Sequence, residues 1–232
     1  MTAPKHGSLT GFLTTISKGG GMSFTNNFEV KFVFPSSSEP AFKINQAGIN
    51  MNDQTVGNGK NGAAFTMYCE EASLPGVQAQ VANTSGKNLG EGAWNYPTQR
   101  MYQDISLTWM CDANMMPLKV LQAWMETIFV DNPENEEGIL RSEYQLTTAA
   151  TKASNTITRL NYFNDYKCSF IEIKKGERNA TSTIGRTALT YKLYDAYPYS
   201  IESSPLSYGS SQIVKVTGNF YYTRWSVHQT PQ

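Results

Sequence analysis

Residues 94–132 contain the pattern that most constrains the fold, because their hydrophobic period changes partway along. Ile105, Leu107 and Trp109 alternate with polar residues, which is typical of a strand with one buried face. Beyond Cys111 the apolar residues recur at helical spacing instead. The stretch therefore predicts a strand, a short polar joint and an amphipathic helix.

The helix is expected over about residues 117–129. Pro117 suits its first turn, where the missing N–H of proline is no loss. No other part of the chain has a convincing helical period, so this helix must pack on a sheet. Its predicted core residues are Leu121, Trp124, Met125 and Ile128.

The rest of the chain is predicted to consist of strands, turns and polar loops. The clearest strand covers residues 28–35, where Phe28, Val30, Phe32 and Phe34 share one face. Further strands are predicted over residues 63–70, 77–83, 166–174, 188–196 and 212–225. With roughly eight strands and frequent turn signals, the fold class is mainly β, an antiparallel sandwich or barrel with one flanking helix.

The last predicted strand, residues 212–225, contains more aromatic residues than one face can bury. Tyr221, Tyr222 and Trp225 cannot all point into the core, so part of this strand is expected to contact a neighbouring subunit. Gly218 is expected to mark a bulge or bend that lets the strand span two sheet regions.

One domain accounts for most of the chain, because no change in composition divides it. We expect a flexible N-terminal arm over residues 1–27, a domain over 28–225 and a C-terminal tail over 226–232. Long loops are expected at 36–61 and 131–165, where breakers and polar residues cluster.

The charge balance argues against a protein that holds nucleic acid through its phosphates. Basic and acidic residues number 19 each, whereas a phosphate-binding protein usually has a basic excess. Only 16% of residues are charged, well below the usual quarter or so. A polar, aromatic surface with few charges is typical of a protein whose faces become covered by neighbours.

Candidate catalytic and metal-binding residues are few. Cys69, Cys111 and Cys168 are widely spaced without a CxxC motif, and we expect small core residues rather than zinc ligands. The acidic stretch at 131–138 lacks the spacing of an EF-hand, so a solvated loop is favoured over a calcium site. We therefore expect no metal and no cofactor.

The residues also argue against an enzyme. His6 and His228 lie near the two ends of the chain, where neither is well placed as a rigid general base. Glu70 and Glu71 are adjacent on a predicted strand, so they point to opposite faces and cannot flank one glycosidic bond. A carbohydrate-binding β-sandwich remains open as a different class, because aromatic residues are abundant at 12%.

The N-terminal residues show no charged region followed by an apolar run, and no stretch approaches the length of a membrane span. We therefore expect a soluble protein that is intracellular when made and has no membrane partner.

Several segments together resemble the tail tube proteins of contractile-tailed bacteriophages. They are CEEASLPG at 69–76, YPTQRMYQDISLTWMCD at 96–112, YKLYDAYPYSI at 191–201 and SQIVKVTGNFYYTRW at 211–225. Residues 10–32 are also similar to an arm that leads into the first strand. The segments occur in the family's order and cover about two-thirds of the chain.

The resemblance implies a structural virion protein of the tail, assembled in the cytoplasm of the bacterial host. Its subunits would form hexameric rings that stack into a tube, with phage DNA passing through the lumen without specific binding. The implied partners are further copies of the chain, the tail sheath protein, and the baseplate and tail terminator proteins. A tube-fold baseplate protein that initiates the tube is the alternative.

Overall fold

The computed structural model describes residues 9–18, 22–35, 38–56, 59–84, 92–130, 159–177, 186–202, 206, 208 and 213–229. Its helices are α1 (Leu9–Lys18), α2 (Glu39–Gln46), α3 (Gly62–Met67), α4 (Met116–Ile128) and α5 (Phe163–Tyr166). The strands in the first half are β1 (Phe28–Val33), β2 (Cys69–Ala72), β3 (Val77–Thr84), β4 (Trp94–Tyr102), β5 (Ile105–Met110) and β6 (Phe129–Val130). Those in the second half are β7 (Arg159–Leu160), β8 (Phe170–Glu177), β9 (Arg186–Tyr194), β10 (Tyr197–Ile201), β11 (Lys215–Tyr221) and β12 (Arg224–Gln229).

The fold is mainly β, with antiparallel pairing between all of these strands. Sheet 1 has four strands in the order β1-β8-β9-β12, and sheet 2 has four in the order β10-β11-β5-β2. The strands β3 and β4 form a separate hairpin, and β6 and β7 form a short ribbon. In the part of the chain that the structure describes, the two larger sheets do not close into a barrel.

The core lies where the alternating faces of the two sheets meet. In sheet 1 the register aligns Phe32 with Ile171, and Ile171 with Leu193, and all of them are buried. In sheet 2, Trp109 pairs with Val216 on the buried face. Each strand therefore places one apolar row inside, as the period-2 pattern predicts.

Aromatic rings fill the centre of this core around Phe32. The Phe32 ring lies 5.3 Å from Phe65, 6.0 Å from Trp109 and 5.7 Å from Phe220, measured between ring centroids. The tilted and edge-on arrangements are those that aromatic quadrupoles favour. Elements distant in sequence are thereby joined in one cluster.

Helix α4 closes one side of the core, and it begins within one residue of the predicted boundary. Met115, just before it, adopts a left-handed conformation with φ 54°, and an Asp112 carboxylate oxygen accepts the Met116 N–H at 2.7 Å. The side chain of Trp124 is buried, and its indole N–H donates to the Tyr166 carbonyl at 2.7 Å. That bond satisfies a polar group that would be costly to bury unpaired.

The prediction of a single helix was wrong, because the described residues contain four more. Helix α2 lies inside the predicted loop over 36–61 and buries Pro40, Ala41 and Ile44. Helix α1 lies inside the predicted flexible arm. These helices are short, and short amphipathic turns leave a weak period in a sequence.

Helix α3 replaces most of the strand predicted over residues 63–70. Asn61 caps this helix, since its side-chain oxygen accepts the Ala64 N–H at 3.0 Å. Only the end of the segment is extended, as β2. A short apolar run cannot be assigned to helix or strand by periodicity alone, and here the cap decides the outcome.

The two longest predicted strands are each broken in two. The strand predicted up to Met110 ends at Tyr102 in the hairpin and restarts at Ile105 in sheet 2. The strand predicted over 212–225 leaves sheet 2 after Tyr221 and enters sheet 1 at Arg224, and it extends through Gln229 into the expected tail.

Gly218 does not mark a bend. It lies in regular pairing with Leu107, and a Cβ there would come within 3.3 Å of the Leu121 side chain. The glycine therefore permits helix α4 to approach sheet 2 closely. Most of the loop expected at 131–165 lies outside the described residues, which resume at Arg159.

Candidate functional site

The hairpin β3–β4 is the most exposed regular element that the structure describes. All of its side chains are exposed except those of Ala82 and Tyr102, which are intermediate. Pairing runs from Val77 opposite Tyr102 to Thr84 opposite Trp94. Because an isolated two-stranded ribbon is marginally stable in water, this element has the properties of a surface completed by a partner.

The two faces of the hairpin have similar, weakly charged surfaces. Residues directly opposite each other share a face, and a register shift between Gln80 and Val81 keeps Val81 opposite Pro97. Trp94 is 73% exposed at the distal end of the described ribbon. Arg100 is the single charged side chain within the two strands. Neither face can be identified as the buried one from its composition.

Two short segments, residues 73–76 and 103–104, connect the hairpin to sheet 2, and we call them the neck. At its base the Ser73 N–H donates to the Ser106 carbonyl at 3.1 Å, and the Ser106 N–H donates to the Ser73 hydroxyl at 2.8 Å. Further out, the Gln103 N–H donates to the Gly76 carbonyl at 3.4 Å. The hydrogen-bonded ladder is therefore interrupted between the sheet and the hairpin.

Aromatic side chains contact the neck from sheet 1 and from the end of β11. The Tyr102 ring lies 5.9 Å from Tyr222 and 6.4 Å from Trp225, and Trp225 lies 5.7 Å from Tyr191. These contacts join Tyr102, the last residue of β4, to sheet 1 and to the end of β11.

Two polar atoms of this aromatic group are buried without a hydrogen bond to the described residues. The Tyr222 hydroxyl and the Trp225 indole nitrogen have no hydrogen-bond partner among the described residues. Burial raises the pKa of Tyr222 to about 12, since the charged phenolate would lose its hydration. Tyr222 and Trp225 therefore contact Tyr102 through ring packing rather than through these polar atoms.

The outer face of sheet 2 combines hydroxyl, amide and carboxylate side chains. The hydroxyls of Thr108 and Thr217 are hydrogen-bonded at 3.0 Å in the middle of this face. Lys215 is held by Glu70 at 2.7 Å. Among the described residues of this face, the acidic side chains outnumber that lysine, and they are Glu70, Glu71, Asp104 and Glu202. The expectation that Glu70 and Glu71 point to opposite faces was wrong, because a β-bulge between Cys69 and Glu71 interrupts the alternation.

The outer face of sheet 1 has the opposite balance. Its carboxylates are bridged by lysines, with the Lys174 ammonium 3.2 Å from Glu172 and 3.7 Å from Glu29. Lys192 approaches the same Glu172 at 3.6 Å. Among the described side chains of this face, the basic ones outnumber the acidic ones. The basic ones are Lys31, Lys174, Lys192 and Arg224.

The structure buries nine of the predicted core side chains and half-buries two. The buried ones are Val30, Phe32, Phe34, Ile105, Leu107, Trp109, Leu121, Trp124 and Ile128. Phe28 and Met125 are intermediate, because they lie at the margin of the strand face and of the helical stripe.

The three aromatic residues predicted as subunit contacts lie in different environments. Tyr221 is 46% exposed on the outer face of sheet 2, whereas Tyr222 is only 9% exposed and Trp225 is half-buried. Tyr222 and Trp225 contact the hairpin neck of their own chain. Only Tyr221 is directly available to a neighbouring molecule.

The hairpin was only partly anticipated by the sequence. The patterns at 77–83 and 94–110 predicted its strands, but not that they pair with each other outside the sandwich. A Gly-rich segment between two weakly alternating runs was the available signal. The break at Gln103 and Asp104 has no glycine or proline to reveal it.

The described residues offer little for catalysis or metal binding. No group of three or more His, Cys, Asp or Glu side chains among them is placed to hold a metal ion. Burial raises the pKa of the Cys69, Cys111 and Cys168 thiols, so they stay protonated and weakly nucleophilic. Of the helices described, none is both long enough and apolar enough to cross a bilayer.

Comparison with solved structures finds similar folds of low sequence identity. An anti-feeding prophage baseplate structure matches with a TM-score of 0.49 and 12% identity, covering 90% of this chain and 96% of that one. A chain of an extracellular contractile injection system sheath–tube complex matches with a TM-score of 0.46 and 12% identity, covering 90% and 93%. A crystal structure of an Hcp protein matches with a TM-score of 0.38 and 14% identity, covering 88% and 99%.

Comparison with protein families gives a direct assignment. None of the curated proteins matches the chain. The family model described as phage tail tube protein matches residues 23–228, which include both sheets, the hairpin and helix α4. The chain therefore belongs to the phage tail tube protein family.

Proposed function

We propose that this chain is the repeating subunit of a tail tube, in which copies form hexameric rings that stack into a conduit for phage DNA. The observation that supports assembly most strongly is the hairpin β3–β4, which exposes both faces and has a single charged residue in its strands. A ribbon of this kind gains stability when another copy covers one of its faces.

The open edges of the two sheets also support assembly. Strands β1 and β12 are the edges of sheet 1, and strands β10 and β2 are the edges of sheet 2. Exposed sheet edges promote uncontrolled pairing, and a closed ring of subunits would cover them. In this arrangement Tyr221 is the aromatic residue that contacts a neighbour, while Tyr222 and Trp225 act through the neck.

The outer face of sheet 2 is the better candidate for the wall of the conduit. Its carboxylates and hydroxyls would repel or only weakly contact the DNA phosphates, whereas the basic face of sheet 1 would hold them. In this proposal sheet 1 faces outwards, towards a contractile sheath. Baseplate and terminator proteins would bind the two ends of the tube, and the protein would be a virion component assembled in the host cytoplasm.

Negative-stain microscopy of the purified protein tests the assembly. We expect hexameric rings and open-ended tubes that lengthen with protein concentration. A protein that stops at one ring would indicate a tube initiator at the baseplate. A strictly monomeric protein at high concentration would contradict the proposal.

A matched pair of threonine substitutions tests which sheet lines the conduit. Thr217 lies on the outer face of sheet 2 and Thr190 on that of sheet 1, and both are half-buried. Tubes with Thr217→Lys should retain short duplex DNA in a nuclease-protected form at low salt. Tubes with Thr190→Lys should bind DNA only where the nuclease can digest it, and the reverse result would invert the orientation.

A further inference from the structure

A side-chain bridge crosses the end of sheet 2 to reach the hairpin neck. The Tyr199 hydroxyl donates a hydrogen bond to the Asp104 carboxylate, which belongs to the neck. Strand β11 lies between β10 and β5 in the sheet, and its Tyr221 ring stacks on Tyr199 with centroids 4.0 Å apart and planes 21° apart. Tyr199 comes from β10 and Tyr221 from β11, so three separate segments meet in one row.

A β-bulge places Tyr199 in this row. Pro198 pairs with Phe220, and Ser200 pairs with Asn219, so Tyr199 is an extra residue in β10. A bulge commonly reorients one side chain away from the regular alternation. Both Tyr197 and Tyr199 contact Tyr221, with the Tyr197 ring 6.1 Å and the Tyr199 ring 4.0 Å from it. The bulge adds Tyr199 to this face without a partner of its own in β11.

The backbone alone holds the neck weakly. Between the Ser73–Ser106 contacts and the first hairpin pair, the described residues have one backbone hydrogen bond, Gln103 N–H to Gly76 carbonyl, at 3.4 Å. This length is at the outer limit for an N–H···O bond. The direction of the hairpin must then depend mainly on side chains that contact the neck.

We propose that Tyr199, Tyr221 and Asp104 form a latch that sets the direction of the hairpin relative to the sandwich, so that the hairpin is preoriented for a second copy of the chain. The inference rests on the proposed function, because it assigns the hairpin to contacts between copies. Tyr199 is a positioning residue in this scheme. It acts on assembly through Asp104 and has no necessary contact with the partner.

The electrostatics agree with this geometry. The hydrogen bond to Asp104 raises the pKa of Tyr199 to about 12, because the bond requires the protonated phenol next to the carboxylate. The phenol therefore remains a donor at neutral pH. Preorientation lowers the conformational cost that would otherwise be met when the hairpin binds.

Tyr199→Phe removes the hydroxyl and keeps the ring that stacks on Tyr221. We expect the variant to retain the melting temperature and the rings of the wild type, but to form several-fold fewer and shorter tubes. In unassembled protein, amide exchange of the neck around Gln103 should become about five- to tenfold faster, as expected for loss of one charge-assisted hydrogen bond at a partly exposed site. Tyr208→Phe, at a fully exposed tyrosine, is the control and should match the wild type.

A second variant separates the bond from the ring. Asp104→Asn keeps an acceptor of nearly the same shape and should give intermediate exchange rates and tube lengths. If wild-type tubes form and Tyr199→Phe equals the wild type in both tube length and neck exchange, the latch is disproved while the proposed function stands.

The remaining outcomes separate the two proposals further. If the wild type forms neither rings nor tubes, the proposed function fails, and neck exchange in the monomer still decides the latch. A fall in melting temperature of Tyr199→Phe with unchanged neck exchange would assign Tyr199 a purely structural role and overturn the positioning role.

Discussion

The sandwich and the hairpin are both built from short antiparallel strands, but they differ in how far the faces of those strands are buried. In sheet 2, β5 buries Ile105, Leu107 and Trp109 and exposes its other face in part. The hairpin strand β4 has no buried side chain on either face. Both strands lie in the same stretch of chain, separated by two residues of neck.

The difference shows that strand formation and strand burial are set by different features of the sequence. Strand β5 has β-branched, aliphatic and aromatic residues in strict alternation, and this pattern fixes its inner face. The hairpin has glutamines and scattered apolar residues, so neither face is preferred. Its structure depends on the neck and, in our proposal, on a neighbouring copy.

Trp109→Ala should have the largest effect on stability, because it removes a side chain with no exposed area from the centre of the aromatic cluster. Truncation of a large buried aromatic residue costs about 3–5 kcal/mol, a large part of a domain's stability. Urea unfolding monitored by circular dichroism measures the loss. Unchanged stability would mean that the inner face of the sandwich, like the faces of the hairpin, contributes little to the stability of the chain.

Gly62→Ala should have the next largest effect on stability, and it tests how tightly α3 is packed beside the sandwich. A Cβ at Gly62 would lie 2.2 Å from the Met51 carbonyl oxygen, a backbone atom that cannot move aside easily. We expect a loss of about 1–3 kcal/mol in the free energy of unfolding. Gly59→Ala is the control, because a Cβ there meets nothing within 4 Å. Equal stabilities would show that α3 is as loosely held as the hairpin.

The sandwich was predictable from the sequence wherever a single face is buried. The alternation in β1 and β5 fixed which residues point inwards, and the period of α4 fixed its buried stripe. The helices α2 and α3 were not predictable, because their buried faces contain few residues and their ends are set by local caps such as Asn61.

The hydrophobic period of the sequence could not predict the position of the hairpin or the structure of its neck. Tyr222 continues the buried alternation of Val216, Gly218 and Phe220, whereas Trp225 is out of phase with it and is half-buried nonetheless. The cause is the chain's passage from sheet 2 to sheet 1 between β11 and β12, which resets the alternation. Only the three-dimensional arrangement shows that Tyr222 and Trp225 contact Tyr102.

Tyr222→Phe tests the boundary between the two regions. At neutral pH the change should be neutral or stabilising by up to about 1 kcal/mol, because it removes a buried hydroxyl that has no partner among the described residues. The pKa of Tyr222 is raised to about 12, above the value of about 10 for an unfolded chain. The stability from its neutral form is complete below pH about 10 and is lost as the pH rises towards 12.

Denaturation across this alkaline range should therefore show a steeper loss of stability for the wild type than for Tyr222→Phe. Tyr162→Phe, at an exposed tyrosine, serves as the control and should follow the wild type. Identical alkaline profiles for all three proteins would mean that the Tyr222 hydroxyl is in contact with water and is not buried beside the neck.

Trp94→Ala should have the smallest effect on stability, although it deletes the same side chain as Trp109→Ala. Trp94 is 73% exposed on the hairpin, so we expect a change within about 0.5 kcal/mol in the free energy of unfolding. Its effect should appear in assembly instead, as shorter tubes at equal protein concentration, because exposed tryptophans are frequent hot spots of interfaces. Sedimentation velocity and urea unfolding of the same sample measure both quantities. A loss of stability comparable to that of Trp109→Ala would show that the hairpin is part of the core, and the contrast between the two regions would fail.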